Sequence, residues 1–247
     1  MTSPRFLCPG ELAAAAVGSE YVLPDAVAHH ALRVLRLAVG DDVTLFTGGG
    51  GEFAATLIRA DKRTAVVHVD GFDPVEREAR LAVTLAQGIA ANDAMDHAVR
   101  RAVELGVSGI QPIVTTRSAR MAEGERGEKR LAHWRQVVVA ACEQCGRNRV
   151  PEVHAAVPLE GWLATRPRES AGLVLAPDAN SSIADLPPPH DALDVLIGPE
   201  GGFAAEEIAA ARRAGLAAVR MGPRVLRTET AALAALATVN ALWGDFR

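Results

Sequence analysis

From residue 81 onward, apolar runs of strand length alternate with longer segments whose apolar residues recur at helical spacing. No other feature of the chain restricts its fold as much. Residues 81–87 form the first run. Asp93 then stands where it can cap a helix in which Met95, Ala98, Val99, Ala102 and Val103 share one face, with Gly106 to close it. Residues 109–114 read as the next strand. A long helix over 128–145 carries Leu131, Trp134, Val138, Ala141, Cys142 and Cys145 on one side, and Gly146 stops it. Strands follow at 173–175, 193–197 and 217–221, with a helix at 206–214 and an Ala-rich helix at 228–243. Such alternation predicts a mostly parallel sheet covered on both faces. Its ligand site is expected at the carboxyl ends of the strands.

The first 72 residues obey a different pattern. Stretches rich in Val, Leu, Phe and Thr at 21–23, 42–46, 52–58 and 64–69 are separated by turns, among them the glycines at 48–51, with one or two helical turns around 24–35. They predict a small β-barrel or sandwich over 1–72. Residues 73–80, with Pro74 and several charges, read as a linker to an α/β domain over 81–247. A chain of 247 residues, 49% hydrophobic and 23% charged, can bury one large or two small cores, which excludes a disordered or fibrous class. No apolar run reaches the roughly 18 residues of a membrane helix. The N-terminus also lacks a secretory signal pattern, so a soluble, cytoplasmic protein is expected.

Three cysteines make no disulfide framework. The pair Cys142-x-x-Cys145 has no second pair to complete a closed zinc site, so buried thiols and no metal are expected. Of 26 basic residues 24 are Arg, which fits GC-rich codon usage better than a functional preference. Within a chain of net charge −4, residues 117–149 hold eight basic and four acidic side chains, a local excess suited to phosphate contact.

Two segments carry most of the chemical signal. Ile197-Gly198-Pro199-Glu200-Gly201-Gly202-Phe203 lies directly between a buried strand and a helix. Its glycines let the backbone turn tightly and approach a ligand closely. Met221-Gly222-Pro223-Arg224-Val225-Leu226-Arg227-Thr228-Glu229 repeats that placement, with Thr228 as the expected N-cap. Neither is a Walker loop or a dinucleotide fingerprint. Two such loops at neighbouring strand ends can clasp one ligand.

These segments together resemble the SPOUT-class RNA methyltransferases that methylate uridine N3 in small-subunit ribosomal RNA, over nearly the whole chain. The resemblance rests on His30 with Val34-Leu35-Arg36 and Gly40-Asp41, on Glu104-Leu105-Gly106-Val107 and Arg117-Ser118, on Glu143-Gln144-Cys145-Gly146-Arg147, and on the two glycine loops. It implies an α/β protein: a PUA-like RNA-binding β-barrel followed by a SPOUT domain whose C-terminal part, about 172–247, forms a trefoil knot. It implies a homodimer acting on small-subunit ribosomal RNA or the assembled subunit. S-adenosylmethionine would be held by Leu175, Ala176 and Pro177, by Ile197, Gly198, Pro199, Glu200, Gly201 and Gly202, and by Met221, Gly222, Arg224, Val225, Leu226 and Arg227.

RNA contacts are implied for His30, Arg33, Arg36, Arg117, Arg147 and Arg149. The target uridine must be unpaired or flipped out, because N3 lies on the pairing edge. Arg117, Arg147 and Arg227 are candidates to stabilise the uracil anion or a phosphate, and Glu143 or Glu229 to accept the imide proton. The chain departs from the usual pattern at Ala94 and Arg101, where lysines are common, at Ala176, where His is frequent, and at Ala204, a usual Ser cap. A non-catalytic RNA-binding protein on this fold, or a SPOUT methyltransferase with another RNA target, is the alternative.

Overall fold

The structure, a computed structural model, describes residues 3–10, 12, 17–62, 64–118, 124–167 and 169–246. It divides into two compact units. One comprises residues 1–78 together with 142–150, and the other 79–141 together with 151–247. The stretch 142–150, which a linear reading assigns to the second part, thus belongs to the first unit.

In the first unit, β1 (Arg5–Leu7), β2 (Glu20–Val22), β3 (Asp42–Phe46), β4 (Glu52–Ala60) and β5 (Ala65–Asp73) form one sheet in the order β1-β3-β4-β5-β2. Only the β1–β3 pair is parallel. Alternation along β4 buries Phe53, Ala55 and Leu57 against Phe6, Leu45 and Val67. Helix α1 (Asp25–His29) runs directly into a π-helical turn at His30–Val34.

A polar cluster pins the segment 142–150 to this sheet. Glu52 Oε2 accepts hydrogen bonds from Arg5 Nη1 at 2.7 Å, Arg77 Nη1 at 2.9 Å and Asn148 Nδ2 at 3.1 Å. Arg77 also donates to the Gly146 carbonyl at 2.9 Å. Burial alone would push the Glu52 pKa up, but the hydrogen bonds from Arg77, Arg5 and Asn148 and the Arg5 charge outweigh it and hold it at about 2.

The second unit contains β6 (Ala82–Gly88), α2 (Asn92–Glu104), β7 (Gly109–Val114), α3 (Glu125–Cys145, of which the last four residues fall in the first unit), β8 (Glu152–Val153), β9 (Val157–Pro158), α4 (Leu159–Thr165), β10 (Ala171–Leu175), β11 (Ala192–Ile197), α5 (Ala205–Arg213), β12 (Ala217–Val219) and α6 (Thr228–Leu242). The strand order is β12-β10-β11-β6-β7-β8, with β9 also on β7, and every pair is parallel. The central strands are mostly apolar, as a sheet covered on both faces requires: Val83, Leu85, Leu173, Val195 and Leu196 are all buried.

The chain first builds β7, β8 and β9 to one side of β6, then returns to place β11 and β10 on the other. From β10 it steps inward to β11 and then outward past β10 to β12, so the direction of winding reverses at β11. The crevice at such a reversal is where open α/β sheets bind ligands.

Two expected caps differ from the structure. Helix α2 begins one residue before Asp93, with Ala91 at the N-cap position and no side-chain cap. The N-cap of α6 is Arg227, and Thr228 lies inside the helix, because its hydroxyl is engaged elsewhere. Ala204 does sit at the N-cap of α5; its N–H donates to Glu207 Oε2 at 2.8 Å, which supplies half of a capping box without a capping side chain at 204.

Candidate active site

Loops at the carboxyl ends of β10, β11 and β12 enclose a cavity of about 600 Å³ in the second unit. The β11 loop is the most tightly built. Gly202 N–H bonds to the Pro199 carbonyl at 2.8 Å, and Gly202 takes φ +65°, a left-handed conformation that only glycine adopts cheaply. A Cβ on Gly88 would lie 2.6 Å from Pro199 N and Cδ, so the bare end of β6 is what lets this loop close down.

Three polar contacts fix the loop. Thr228 Oγ1 donates to the Gly198 carbonyl at 2.5 Å and accepts from Gln87 Nε2 at 2.9 Å, a relay that joins α6 and β6 through the loop backbone. Glu200 Oε1 accepts the Ala91 N–H at 2.7 Å, which satisfies a backbone donor at the start of α2. Arg117 Nη1 donates to the carbonyls of Gly201 at 3.0 Å and Phe203 at 3.4 Å. Gln87 is fully buried, and among the described residues its Oε1 has no hydrogen-bond partner. Turning the amide over would place that oxygen against the Gly88 and Gly198 carbonyls, so the orphaned acceptor follows from holding the loop.

Most of the residues expected to bind cofactor line this cavity: 175–177, 197–202, Met221, Gly222 and 224–226. Arg227 does not line it; it caps α6 and its carbonyl accepts the Ala231 N–H at 2.7 Å. Asp178, Ile208, Arg212 and Arg220 line it as well, although motif reading passed over them. They lie on α5 or just outside the glycine segments, and only the tertiary fold brings them to the site.

Of the proposed catalytic groups, Arg117 lines the cavity and Glu229 occupies the first turn of α6, half-buried. Glu143 and Arg147 belong to the first unit. Glu143 Oε1 accepts the Leu7 N–H at 3.0 Å, and burial raises its pKa despite that bond and the nearby charges of His30 and Arg5. Arg147 is a correction. Its side chain is only 5% exposed and grips Glu78 through Nε, 3.0 Å from Oε1, and through Nη2. That guanidinium is committed within the fold and offers no open face to a phosphate.

The basic stretch 117–149 is likewise less open than its charge count implies. Arg130 bonds to the Ala90 carbonyl and stacks over Trp134, Arg135 bonds to the Val153 carbonyl, Lys129 pairs with Glu125, and Arg149 pairs with Glu76 at 3.2 Å. Arg120 lies outside the described residues. Cys8 and Cys142 are buried, and burial lifts both thiols to about 12. Among the described residues no group of His, Cys, Asp and Glu could hold a metal ion, and no helix is long and apolar enough to cross a membrane.

The first unit carries one backbone outlier. Arg36 has φ +57°, and it is the one non-glycine residue with positive φ among the described residues. It follows the π-helical turn, where Leu37 N–H reaches back to the Ala31 carbonyl at 3.0 Å. A side chain held in the left-handed region costs roughly 1–2 kcal/mol. Arg33 donates to the Lys62 carbonyl at 3.2 Å, and His30 meets Phe6 edge-on. Val34, Leu35 and Val39 are exposed beside them.

A cavity of this size is within the roughly 300–1,000 Å³ range of small-molecule and cofactor sites. With glycine-built loops at the reversal point of a parallel sheet, it defines an α/β domain that binds a nucleotide-sized ligand at its strand ends. The description "RNA methyltransferase domain" matches residues 77–240, and "RNA methyltransferase PUA domain" matches residues 23–70. The chain belongs to the RNA methyltransferase family, among the ribosomal RNA small subunit methyltransferase E proteins.

The enzyme of that name from Neisseria gonorrhoeae, solved bound to S-adenosyl methionine, is 38% identical and has a TM-score of 0.92 over 100% of both chains. A methyltransferase from Legionella pneumophila, solved with bound cofactor SAM, is 35% identical, with a TM-score of 0.94 over 100% of both. The ribosomal RNA small subunit methyltransferase E of Mycobacterium bovis is 34% identical over 227 residues, 86% of this chain and 83% of the relative.

Proposed function

We propose that this chain transfers a methyl group from S-adenosylmethionine to N3 of a uridine in small-subunit ribosomal RNA. The observation that carries the reading is the cavity itself. Its three loops are those the family resemblance assigns to the cofactor, and the turn at 199–202 on its wall closes down because Gly88 behind it carries no side chain to strike Pro199. Loops 175–177, 197–202 and 221–226 would hold the cofactor. When bound, it supplies an electrophilic methyl on a sulfonium centre.

The chain's own residues would then position the base and manage its proton. Arg117, which bonds to two loop carbonyls at the cavity wall, would stabilise negative charge on the uracil oxygens. Arg227 is kept as a second cation for the anion or a phosphate. Glu143 and Glu229 are the candidate bases, and the raised pKa of Glu143 brings it closer to the operating range of a general base. If Glu143→Gln and Glu229→Gln both keep wild-type single-turnover rates, a side-chain base is ruled out.

The PUA-like unit would grip RNA through His30, Arg33, Arg36 and Arg149. The strain accepted at Arg36 supports a function for that side chain, since backbone outliers persist where they serve one. An Arg33→Ala, Arg36→Gly double variant should weaken RNA binding, and glycine at 36 tolerates the positive φ. The family architecture further suggests a trefoil knot over the C-terminal part, and a homodimer that sedimentation of the purified protein would test. The activity is tested by incubating the protein with tritiated S-adenosylmethionine and unmodified small subunits, then mapping the labelled nucleoside.

A further inference from the structure

The cavity wall carries more positive charge than a methyl donor can use. Arg117, Arg212, Arg220 and Arg224 all line it, against two carboxylates, Asp178 and Glu200. Glu200 is already bonded to the Ala91 N–H. All four arginines are exposed, and among the described residues none of them forms an ion pair. Asp185 feels the Arg220 charge, but its Oδ2 is bound to the Ser182 N–H and hydroxyl at 2.7 and 2.9 Å. S-adenosylmethionine bears a sulfonium, an ammonium and a single carboxylate at neutral pH, so its net charge is positive and one guanidinium suffices for its one anionic group. The remaining arginines face a site whose cofactor would repel them. In a chain of net charge −4, that surplus calls for a second, anionic occupant.

We infer that Arg212 on α5 and Arg220 at the end of β12 hold the phosphodiester backbone of the RNA beside the nucleotide presented to the cavity. The inference rests on the reading that RNA is the substrate. It adds two positioning residues outside both glycine motifs and outside the first unit. Each would neutralise one phosphate. The flanking strand would thus be fixed while its base enters the pocket, as an unpaired or flipped nucleotide requires.

The test is the salt dependence of binding to unmodified small-subunit ribosomal RNA for the full-length protein, its Arg212→Ala, Arg220→Ala double variant, and the corresponding Lys double variant. Cofactor affinity is measured alongside by calorimetry. Each phosphate contact on a single strand contributes about −0.7 to the slope of log K against log salt. The Ala variant should therefore lose about 1.4 of that slope, the Lys variant should keep it, and cofactor affinity should not fall in either. A slope unchanged in the Ala variant overturns the inference. So does a loss confined to cofactor affinity, which would assign these arginines to the donor's carboxylate. A wild-type protein with no salt-dependent RNA binding would instead overturn the substrate reading itself, a separate result.

Discussion

Replacing Glu52 by Gln tests whether the first unit is held by the cluster drawn around one carboxylate. Glu52 joins Arg5 on β1, Arg77 near the end of the first segment, and Asn148 in the returning stretch, so three distant parts of the chain meet at one oxygen. Its side chain is 17% exposed. The fall in pKa from 4.5 to about 2, at about 1.4 kcal/mol per tenfold change in proton affinity, corresponds to about 3 kcal/mol, reduced to roughly 2–3 kcal/mol by partial solvent screening.

Because the folded pKa is depressed, this stabilisation is present above the unfolded value near 4.5 and is lost as pH falls towards 2. At pH 3 linkage leaves roughly 1 kcal/mol. Hydrogen exchange of the β3–β5 peptides in the full-length protein, with and without Glu52→Gln, measures the gap directly. A gap under about 0.5 kcal/mol at pH 7, well below the value from linkage, would refute the reasoning. So would a gap that stays the same at pH 3.

Other consequences concern the cavity and the thiols. Gly88→Ala places a methyl 2.6 Å from Pro199 backbone and ring atoms, and overpacking of this kind costs about 1–3 kcal/mol; equilibrium dialysis should show cofactor affinity reduced about tenfold or more. Thr228→Val leaves the Gly198 carbonyl and Gln87 amide without their shared partner, and steady-state kinetics should show the loss mainly in KM for the cofactor, by a factor expected from about 1–3 kcal/mol. Cys8 and Cys142, with thiols near 12, should resist a disulfide reagent at pH 8 in the folded protein and react once denatured, while half-buried Cys145 reacts first, as peptide mapping of the label would show.

The parallel sheet was legible because its central strands are mostly apolar and helices such as α2 carry full apolar faces, so burial and periodicity agreed. Shorter pieces were not. β1 has three residues, and β8 and β9 have two each; none is long enough to show a period, and each exists only because a neighbouring strand supplies its partners. Helix α4 follows Pro158 and spans seven residues, too few to separate from a loop by pattern. The N-caps of α2 and α6 were misassigned because Ala91 and Arg227 provide no capping side chain, although the start of α6 at Thr228 was read correctly.

The glycine loops of the site were visible in sequence, since close backbone approach demands glycine. Arg212 and Arg220 were not, because a surface arginine on a helix or after a strand has no local signature. Arg147 misled for the converse reason. Its position within a basic stretch suggested an open cation, and only the fold shows Glu78 closed upon it.

The measurement that bears most directly on the central claim is mass-spectrometric identification of the nucleoside formed when the purified protein acts on unmodified small ribosomal subunits with labelled S-adenosylmethionine. The account predicts label in 3-methyluridine of the small-subunit RNA, reduced with Gly88→Ala at subsaturating cofactor. Label in another nucleoside or on a ribose, or cofactor and RNA binding with no transfer, would contradict it.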